Sequence, residues 1–164
     1  MMADLYPCAI GLGSNLGDSH SILTGAIERL EMHPQIQLLA VSSWYITAPL
    51  GPPQPDYLNG CATVETSLTP LDLLNVLQSI EMEFGRVRGE IWGARTLDLD
   101  LLLYSDRIID LPALQVPHPH MCDRAFVLVP LAEIAPDWLE PHSDKSIDTL
   151  ANKLASSDVN LFSA

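Results

Sequence analysis

Lysine and arginine are scarce in this 164-residue chain: eight of them stand against 21 aspartates and glutamates, which gives a formal net charge of −13. Proteins that bind nucleic acid or an anionic membrane need an electropositive surface, so we expect neither partner. Five of the eight cations fall between positions 86 and 124: Arg86, Arg88, Arg95, Arg107 and Arg124. The same segment contains two closely spaced aspartates. This grouping indicates a small anionic ligand that is handled together with a metal.

The chain also lacks the cysteine patterns of disulfide-stapled or zinc-binding proteins. Its three cysteines, Cys8, Cys61 and Cys122, are widely spaced and form no C-x-x-C motif. An odd number of isolated cysteines is typical of free, mostly buried thiols in a reducing compartment. His118 and His120 are close in sequence, but no further ligand follows at a zinc-type spacing, so we do not expect zinc.

Long apolar runs are missing as well. No stretch approaches the ~18 residues of a membrane-spanning helix, and no basic segment followed by an apolar run begins the sequence, so we expect a cytoplasmic protein. Apolar residues make up 48% of the chain and charged residues 18%, which is typical of a globular protein. We interpret residues 1–164 as one domain, with a core at about 5–140 and a tail at about 141–164 that ends in a frayed, serine-rich segment.

The most informative stretch alternates strictly, with leucines at 97, 99, 101 and 103 and aspartates at 98 and 100. A period of two predicts a half-buried strand whose leucines enter the core while both carboxylates emerge on the other face. Such carboxylates lie roughly 6.5–7 Å apart and could hold or bridge hard divalent cations. The alternative is the solvated face of an edge strand, but aspartate is a poor strand former. Arg95 and the glycine-containing loop before it favour phosphate binding.

The remaining patterns predict a β-α-β-β-α-β order. Strands are predicted at about 6–13, 36–47, 57–67 and 97–104, and helices at about 19–33 and 70–84. This is the order of the ferredoxin-like α/β (α+β) fold, a four-stranded antiparallel sheet with helices on one face. A C-terminal extension follows, with a short strand at about 107–110, a loop at 114–124 and helices at 125–135 and 147–154.

Two further segments are predicted to be loops, one with a purely structural role and one whose role the residues leave open. The segment from Gly13 to Asp18 lacks the lysine of a phosphate loop, so we interpret it as a tight strand-to-helix turn. The proline-rich segment from Ala48 to Asp56 has an extended, stiff backbone. It is either a structural loop or one whose free backbone groups read the edge of a flat ligand.

Several short motifs occur along nearly the whole chain. They are IGLGSNLG at 10–17, TAPLG at 47–51, QPDYLN at 54–59, Glu81 with GRVR at 85–88, WGARTLDLD at 92–100, VPH at 116–118, RAF at 124–126 and PL at 130–131. Together they resemble the 6-hydroxymethyl-7,8-dihydropterin pyrophosphokinases of folate biosynthesis. The W-G-x-R-T-x-D-x-D stretch is highly specific, whereas the glycine turn alone would be weak.

The resemblance implies an enzyme that transfers pyrophosphate from ATP to the hydroxymethyl group of 6-hydroxymethyl-7,8-dihydropterin and releases AMP. It implies ATP as co-substrate and two Mg²⁺ ions held by Asp98 and Asp100. It implies that these two aspartates, with Arg86 and Arg95, are the catalytic residues. We expect a monomer, with a dimer as the alternative.

The resemblance also implies two sets of binding residues. Tyr57 and Phe126 would stack on the two faces of the pterin, and Asn59 and the 47–50 backbone would bind its edge. The pterin set is Thr47, Ala48, Leu50, Tyr57, Asn59, Trp92 and Phe126. The nucleotide set is Gln78, Glu81, Arg86, Arg88, Arg95, His118 and Arg124.

The chain departs from the family pattern at three places. The segment from Arg86 to Trp92 is one residue shorter, Pro119 replaces an aromatic hydroxyl, and Ala113 replaces an arginine found in some members. We expect these changes to affect nucleotide affinity and not the reaction. Two other functions stay open: a Mg²⁺-dependent phospho- or nucleotidyltransferase acting on another small alcohol, and a non-catalytic ferredoxin-like regulator. A regulator would have no use for aligned carboxylates, clustered arginines and an aromatic pair together.

Overall fold

The computed structural model describes residues 4–48, 53–85, 96–154 and 159–162. Its strands are β1 (Tyr6–Ser14), β2 (Ile36–Val41), β3 (Tyr45–Thr47), β4 (Tyr57–Thr66), β5 (Asp98–Tyr104), β6 (Ile109–Leu111), β7 (Leu114–Val116), β8 (Leu139–Glu140), β9 (Lys145–Ser146) and β10 (Val159–Leu161). Its helices are α1 (Ser19–Met32), α2 (Pro70–Glu83), α3 (Ala125–Ile134) and α4 (Ile147–Asn152), with a 3₁₀ turn at Met121–Asp123.

The main sheet has the strand order β10-β3-β4-β1-β5, and β2 also pairs with β4. Every pairing in it is antiparallel. Because β1 covers the whole of one edge of β4, β2 and β3 follow one another along the other edge. The ferredoxin-like order predicted from the sequence is therefore confirmed, with additions at its edges and C-terminus.

The first two helices begin where the sequence predicts. The Asp18 carboxylate accepts a hydrogen bond from the Ser21 N–H at the start of α1. The Thr69 hydroxyl accepts one from the Asp72 N–H at the start of α2, whose first residue is Pro70. Such caps satisfy amide groups that have no partner within the helix. Gly85 has a φ of 83° just beyond α2, a conformation that glycine adopts without strain.

The sheet has a face covered by α1 and α2, and we call this the α1–α2 face. The two helices pack their apolar sides against one layer of strand residues: Ile10, Leu12, Val64, Leu97, Leu99 and Leu101. We call the opposite surface the α3–α4 face. There, residues of α3 and α4 pack against a second layer formed by Ala9, Cys61, Leu102 and Leu103. The predicted helices at 125–135 and 147–154 thus form the second cover of the sheet.

The sequence pattern predicts that Leu103 lies on the same face as the other alternating leucines. This prediction is wrong, because Leu103 lies on the opposite face. Ile10 of β1 pairs with Leu101, but Ala9 pairs with Leu103, so Leu102 is an extra residue in β5. A bulge of this kind shifts all later side chains to the opposite face. Leu103 therefore packs under α3 and α4.

The predicted strand at 36–47 is also interrupted. Val41 pairs with Ala62 and Tyr45 with Asn59, so three residues of this edge oppose two of β4. The Ser42 hydroxyl accepts a hydrogen bond from the Cys61 N–H and replaces a partner in the ladder. The break thus divides one apolar run into β2 and β3.

Three further boundaries differ from the predictions. β1 extends one residue beyond the predicted strand, to Ser14, which the sequence assigned to the turn. The predicted loop at 114–124 contains β7 and the 3₁₀ turn. The tail predicted to fray contributes β10, which pairs with β3. Among the described helices, none has the length and apolarity needed to cross a bilayer.

Candidate active site

Asp98 and Asp100 lie on the α3–α4 face at the start of β5. Asp98 is opposite Gly13 of β1, and Asp100 is opposite Gly11. Both aspartates are half-buried, whereas Leu99 between them is buried against α1 and α2. The predicted separation of carboxylates and leucines onto opposite faces is therefore observed. Two oxygen-donor side chains project from neighbouring positions of one rigid strand.

A buried carboxylate from the other face fixes this strand. Glu81 of α2 is 5% exposed, and its Oε2 accepts a hydrogen bond of 2.8 Å from the Leu99 N–H. A hydrogen bond of this length to a backbone N–H fixes the strand relative to α2. Glu81 thus holds the backbone between the two aspartates.

Asn59 and Thr47 form the polar floor of the face next to Asp98. Asn59 is paired with Gly13 across β1 and β4, so it shares a row with Asp98. Its Nδ2 donates a hydrogen bond of 2.6 Å to Thr47 Oγ1. Both side chains are buried, with 8% and 4% of their surfaces exposed. The bond fixes which end of the Asn59 amide faces Thr47.

Gly13 makes room for this floor. A Cβ at Gly13 would lie 2.7 Å from Asn59 Oδ1 and 3.5 Å from the Tyr57 ring. The first distance is shorter than real side chains tolerate, so any larger residue would displace the Asn59 amide. The absence of a side chain at Gly13 leaves Tyr57 and Asn59 beside Asp98.

His118 reaches the same area from the segment after β7. Its backbone N–H donates to Leu102 O of β5 at 3.0 Å, and its Nδ1 accepts from the His120 N–H at 3.2 Å. Because Nδ1 is an acceptor, the proton of the neutral ring lies on Nε2. The Val116–Pro117 peptide bond that precedes it is cis.

The charge of His118 is disfavoured by its surroundings. Burial lowers its pKa first, the neighbouring Arg124 and His120 side chains lower it further, and Asp98 opposes them. The ring is therefore a neutral donor near pH 7. The same influences indicate that Asp98, His118 and Arg124 belong to one electrostatic neighbourhood.

Arg124 and Phe126 both come from the start of α3. The Arg124 guanidinium carbon lies 5.5 Å from the centre of the Phe126 ring, within the range of a cation–π contact. Phe126 packs at the margin of the α3–α4 face cluster, and α3 itself packs on β4. One helix end thus carries a cation and an aromatic ring toward the side of the sheet that holds the two aspartates.

Comparison with known proteins assigns this arrangement to a family. The family model for 7,8-dihydro-6-hydroxymethylpterin-pyrophosphokinase (HPPK) matches residues 9–136. The chain belongs to the HPPK family. The match runs from within β1 to just beyond α3, includes every described residue of the site, and ends before β8.

Individual relatives agree. The chain is 52% identical over 149 residues to a 2-amino-4-hydroxy-6-hydroxymethyldihydropteridine pyrophosphokinase of Synechocystis, with 91% of this chain and 76% of the relative covered. It is 54% identical over 133 residues to the enzyme of the same name from Pseudomonas aeruginosa, with 80% and 82% covered.

Solved structures support the fold. The wild-type HPPK-DHPS of Plasmodium falciparum with pteroate superposes with a TM-score of 0.75 at 14% sequence identity, covering 93% of this chain. The chain spans only 43% of that longer protein. At this identity the likeness concerns the HPPK fold alone.

The structure brings together most of the described residues that the HPPK resemblance implied. Those on or beside the α3–α4 face are Thr47, Tyr57, Asn59, Asp98, Asp100, His118, Arg124 and Phe126. Ala48 is exposed just after β3. Gln78 and Glu81 belong to α2, and Glu81 contacts the Leu99 N–H of β5. Leu50, Arg86, Arg88, Trp92 and Arg95 lie outside the described residues, and their roles stay predictions.

Sequence reasoning missed two residues that shape this HPPK site. Gly13 was predicted only as the residue at which the first strand ends in a turn, although Gly11 and Gly13 repeat at the same period of two as the aspartates opposite them. Asn15 is 3% exposed and donates to Gln54 Oε1 at 2.7 Å and to Pro55 O at 2.9 Å. It therefore ties the end of β1 to the segment that precedes Tyr57. An asparagine among turn residues gave no signal of this bridge.

The donor set fits magnesium. In the described ranges, no three or more His, Cys, Asp or Glu side chains gather as a metal site. Magnesium is usually held by one or two carboxylates, with waters and substrate phosphates completing its octahedron. Asp98 and Asp100, with glycines opposite them, match that requirement in both chemistry and room.

Proposed function

We propose that this chain transfers pyrophosphate from ATP to the hydroxymethyl group of 6-hydroxymethyl-7,8-dihydropterin, giving the pterin diphosphate and AMP. The observation that carries the proposal is the row across the sheet in which Asp98, Gly13 and Asn59 are neighbours. It places a carboxylate pair beside an amide and an aromatic ring. A phosphoryl-transfer centre and a site for a flat heteroaromatic would thus share one face.

Asp98 and Asp100 would hold Mg²⁺, and we propose two ions. Magnesium bound there would neutralise charge on the phosphate oxygens of ATP and on the leaving oxygen of AMP. The aspartates are suited to this because β5 is anchored at Leu99 by the buried Glu81. A fixed strand holds both carboxylates in place before the substrates arrive, which avoids reorganisation during the reaction.

The pterin would lie over Asn59 and Thr47, between the rings of Tyr57 and Phe126. An amide offers both a donor and an acceptor, which suits the edge of a pterin. The Asn59 Nδ2 is engaged by Thr47, so its orientation is set before binding. Stacking on two aromatic faces would add affinity without demanding particular hydrogen bonds.

The phosphates of ATP would be bound at the side of His118 and Arg124. A neutral His118 with its proton on Nε2 donates a hydrogen bond without requiring an acidic solution. Arg124 would add a permanent charge, and its cation–π contact with Phe126 restricts its position. The family resemblance implies further phosphate contacts from Arg86 and Arg95, and further nucleotide contacts from Arg88, Gln78 and Glu81.

In the reaction, the pterin hydroxyl oxygen would bond to the β-phosphorus as the bond from that phosphorus to the α–β bridging oxygen breaks. AMP leaves with that oxygen, and the hydroxyl proton departs late because phosphoryl transfer passes through a loose transition state. Asp98 then positions the hydroxyl and need not be a strong base. The residues of the site mainly align the reactants and balance charge.

The test is to incubate the purified chain with ATP, MgCl₂ and 6-hydroxymethyl-7,8-dihydropterin and to separate the products by chromatography. We expect AMP and a pterin diphosphate in equal amounts, and neither without the pterin. ADP with a pterin monophosphate would contradict the proposal and indicate a simple kinase. ATP consumption that is indifferent to the pterin would contradict it too.

A further inference from the structure

Helix α3 contains a single charged side chain, Glu133, one residue before its end. The helix has the sequence AFVLVPLAEI, and its other nine residues are apolar. An isolated carboxylate in such a helix is either a solvated surface residue or one with defined partners. Glu133 has defined partners on another element of the fold.

The Glu133 carboxylate binds two residues of the β3 edge with both of its oxygens. Oε2 accepts from the Ser43 N–H at 2.8 Å and from the Ser43 hydroxyl at 3.2 Å. Oε1 accepts from the Tyr45 hydroxyl at 2.5 Å. Burial, and then the bond to Glu133, raises the pKa of Tyr45 to about 12, so the phenol remains a donor. We call these three hydrogen bonds the Glu133 bridge.

Both ends of the bridge lead to walls of the proposed pterin site. On the helix side, Phe126 and Arg124 lie about two turns before Glu133, roughly 10 Å along the axis. On the sheet side, Tyr45 is paired with Asn59, and Thr47 follows two residues later and binds the Asn59 amide. The bridge therefore links the element that carries Phe126 to the elements that carry Asn59 and Thr47.

Helix α3 is also held on the sheet by apolar packing that does not involve the bridge. Leu128 and Leu131 are fully buried in the α3–α4 face cluster, and the Cys61 thiol contacts Val127 O at 3.5 Å. Apolar contacts are non-directional, however, and tolerate small shifts of a helix along its own axis. A carboxylate held by three donors is directional and restricts such shifts.

We propose that Glu133 is a positioning residue that sets the separation of Phe126 from the floor formed by Asn59 and Thr47, and thereby the affinity for the pterin. This inference rests on the proposed function and deepens it, because it assigns a specificity role to a residue outside the binding set. A flat ring held between two aromatic faces requires a fixed gap. A shift of about 1 Å in one wall is enough to weaken binding and to misalign the hydroxyl.

The experiment compares Glu133→Gln and Tyr45→Phe with the wild-type chain. Calorimetry would measure the dissociation constants of 6-hydroxymethyl-7,8-dihydropterin, in the presence of α,β-methylene-ATP and MgCl₂, and of the nucleotide analogue alone. We expect Glu133→Gln to raise the pterin dissociation constant about five- to tenfold, as for the net loss of one ordinary hydrogen bond. Tyr45→Phe should give a smaller rise in the same direction. The dissociation constant of the nucleotide analogue should stay within about twofold.

The double variant is the sharpest readout. If both side chains act through one bridge, the combined effect of Glu133→Gln and Tyr45→Phe should be smaller than the sum of their separate effects, whereas independent destabilisations would add. Glu28→Gln removes an exposed carboxylate of α1 and serves as the matched control, with unchanged constants. Should Glu133→Gln fail to fold, Tyr45→Phe decides the question alone.

The measurements distinguish a failure of the proposed function from a failure of the inference about Glu133. A wild-type chain that does not bind the pterin would overturn the proposed function, and this inference with it. A wild-type chain that binds the pterin, with variants that bind it within twofold as tightly, would overturn the inference alone. An equal loss of nucleotide and pterin affinity, or additive effects in the double variant, would also overturn it and indicate a structural role.

Discussion

The two faces of the main sheet are built from the same strands but have different properties. On the α1–α2 face, side chains of β1, β4 and β5 are apolar and buried under two amphipathic helices. On the α3–α4 face, the same strands are apolar only where α3 and α4 cover them. The other end of that face presents Asp98, Asp100, Asn59 and Thr47. Stability and chemistry are thus assigned to alternate residues of one strand.

This division follows from the geometry of a strand. Neighbouring residues point to opposite sides, so a substitution affects one face and leaves the other almost untouched. Residues 99 and 100 of β5 therefore allow a direct comparison of a structural and a functional position. Pairs of substitutions on opposite faces test whether the separation holds in solution.

The largest effect is expected for Asp100→Ala. It should lower the turnover number by about a thousandfold, since a lost metal ligand removes several kcal/mol of transition-state stabilisation. The side chain is half-buried and leaves no core cavity, so the midpoint of urea unfolding should change little. Rates of AMP formation at saturating MgCl₂ and urea titrations would measure the two quantities.

The comparison variant is Leu99→Ala on the α1–α2 face. It should lower the free energy of unfolding by about 2–5 kcal/mol because it opens a cavity among buried leucines. Turnover per folded molecule should remain within a few-fold of the wild type. Asp100→Ala with near wild-type activity would contradict the metal assignment, and Leu99→Ala with selective loss of turnover would contradict the division between the faces.

A second pair compares two glycines on opposite faces. Alanine at Gly13 would press on the Asn59 amide at 2.7 Å, and we expect pterin affinity to fall by about tenfold, as for overpacking by 1–3 kcal/mol. Alanine at Gly60 would overlap the Trp44 ring on the α1–α2 face and approach Ser42 Oγ at 3.0 Å. It should cost about 1–3 kcal/mol of stability and leave affinity per folded molecule unchanged. Binding and unfolding titrations on both variants would check this, and the opposite assignment would contradict it.

Much of this arrangement follows from local rules that the sequence displays. The caps at Asp18 and Thr69, the leucine period of α2 and the alternation at the start of β5 each depend on a few neighbouring residues. The family resemblance then supplies the grouping of distant residues, such as Asn59 with Asp98. Those parts were predictable because either a short period or a specific motif encodes them.

Other parts depend on tertiary pairing that no local pattern encodes. The bulge at Leu102 moves Leu103 to the opposite face, and it becomes visible only when β5 is paired with β1. The break at Ser42 depends on the amide of Cys61 across the sheet. β10 is three residues long and is a strand only because β3 offers an edge. The role of Gly13 likewise depends on its neighbour in β4.

A smaller effect is expected for His118, whose pKa is lowered in the folded chain by burial and by nearby positive charge. In the unfolded chain a histidine titrates near 6.5. At pH values between the lowered pKa of the folded chain and about 6.5, the unfolded chain binds more protons at His118 than the folded chain does. The contribution of His118 to stability is therefore present above pH ~6.5 and is lost as the pH falls through the folded-state pKa. His118→Gln should therefore reduce the slope of the unfolding free energy against pH in this window. Urea titrations without added metal from pH 5 to 7.5 would measure the slopes, and equal slopes would contradict a neutral, half-buried ring.

The smallest effect compares Cys8 on the α1–α2 face with Cys61 on the α3–α4 face. Burial raises the pKa of Cys8 to about 12, and burial with the charges of Asp100 and Glu133 raises that of Cys61. Both folded pKa values lie above the unfolded one, so their contribution to stability is full below pH ~8.5 and declines as the pH rises beyond it.

Neither thiol is exposed, so at pH 7.5 a thiol reagent should modify both only at the rate of global unfolding, whereas the half-buried Cys122 should react first. Mass spectrometry of peptides after timed labelling would follow each cysteine. Modification of Cys61 well before Cys8 would show that the α3–α4 face opens by itself, and protection of Cys61 by pterin and nucleotide would then locate that opening at the site.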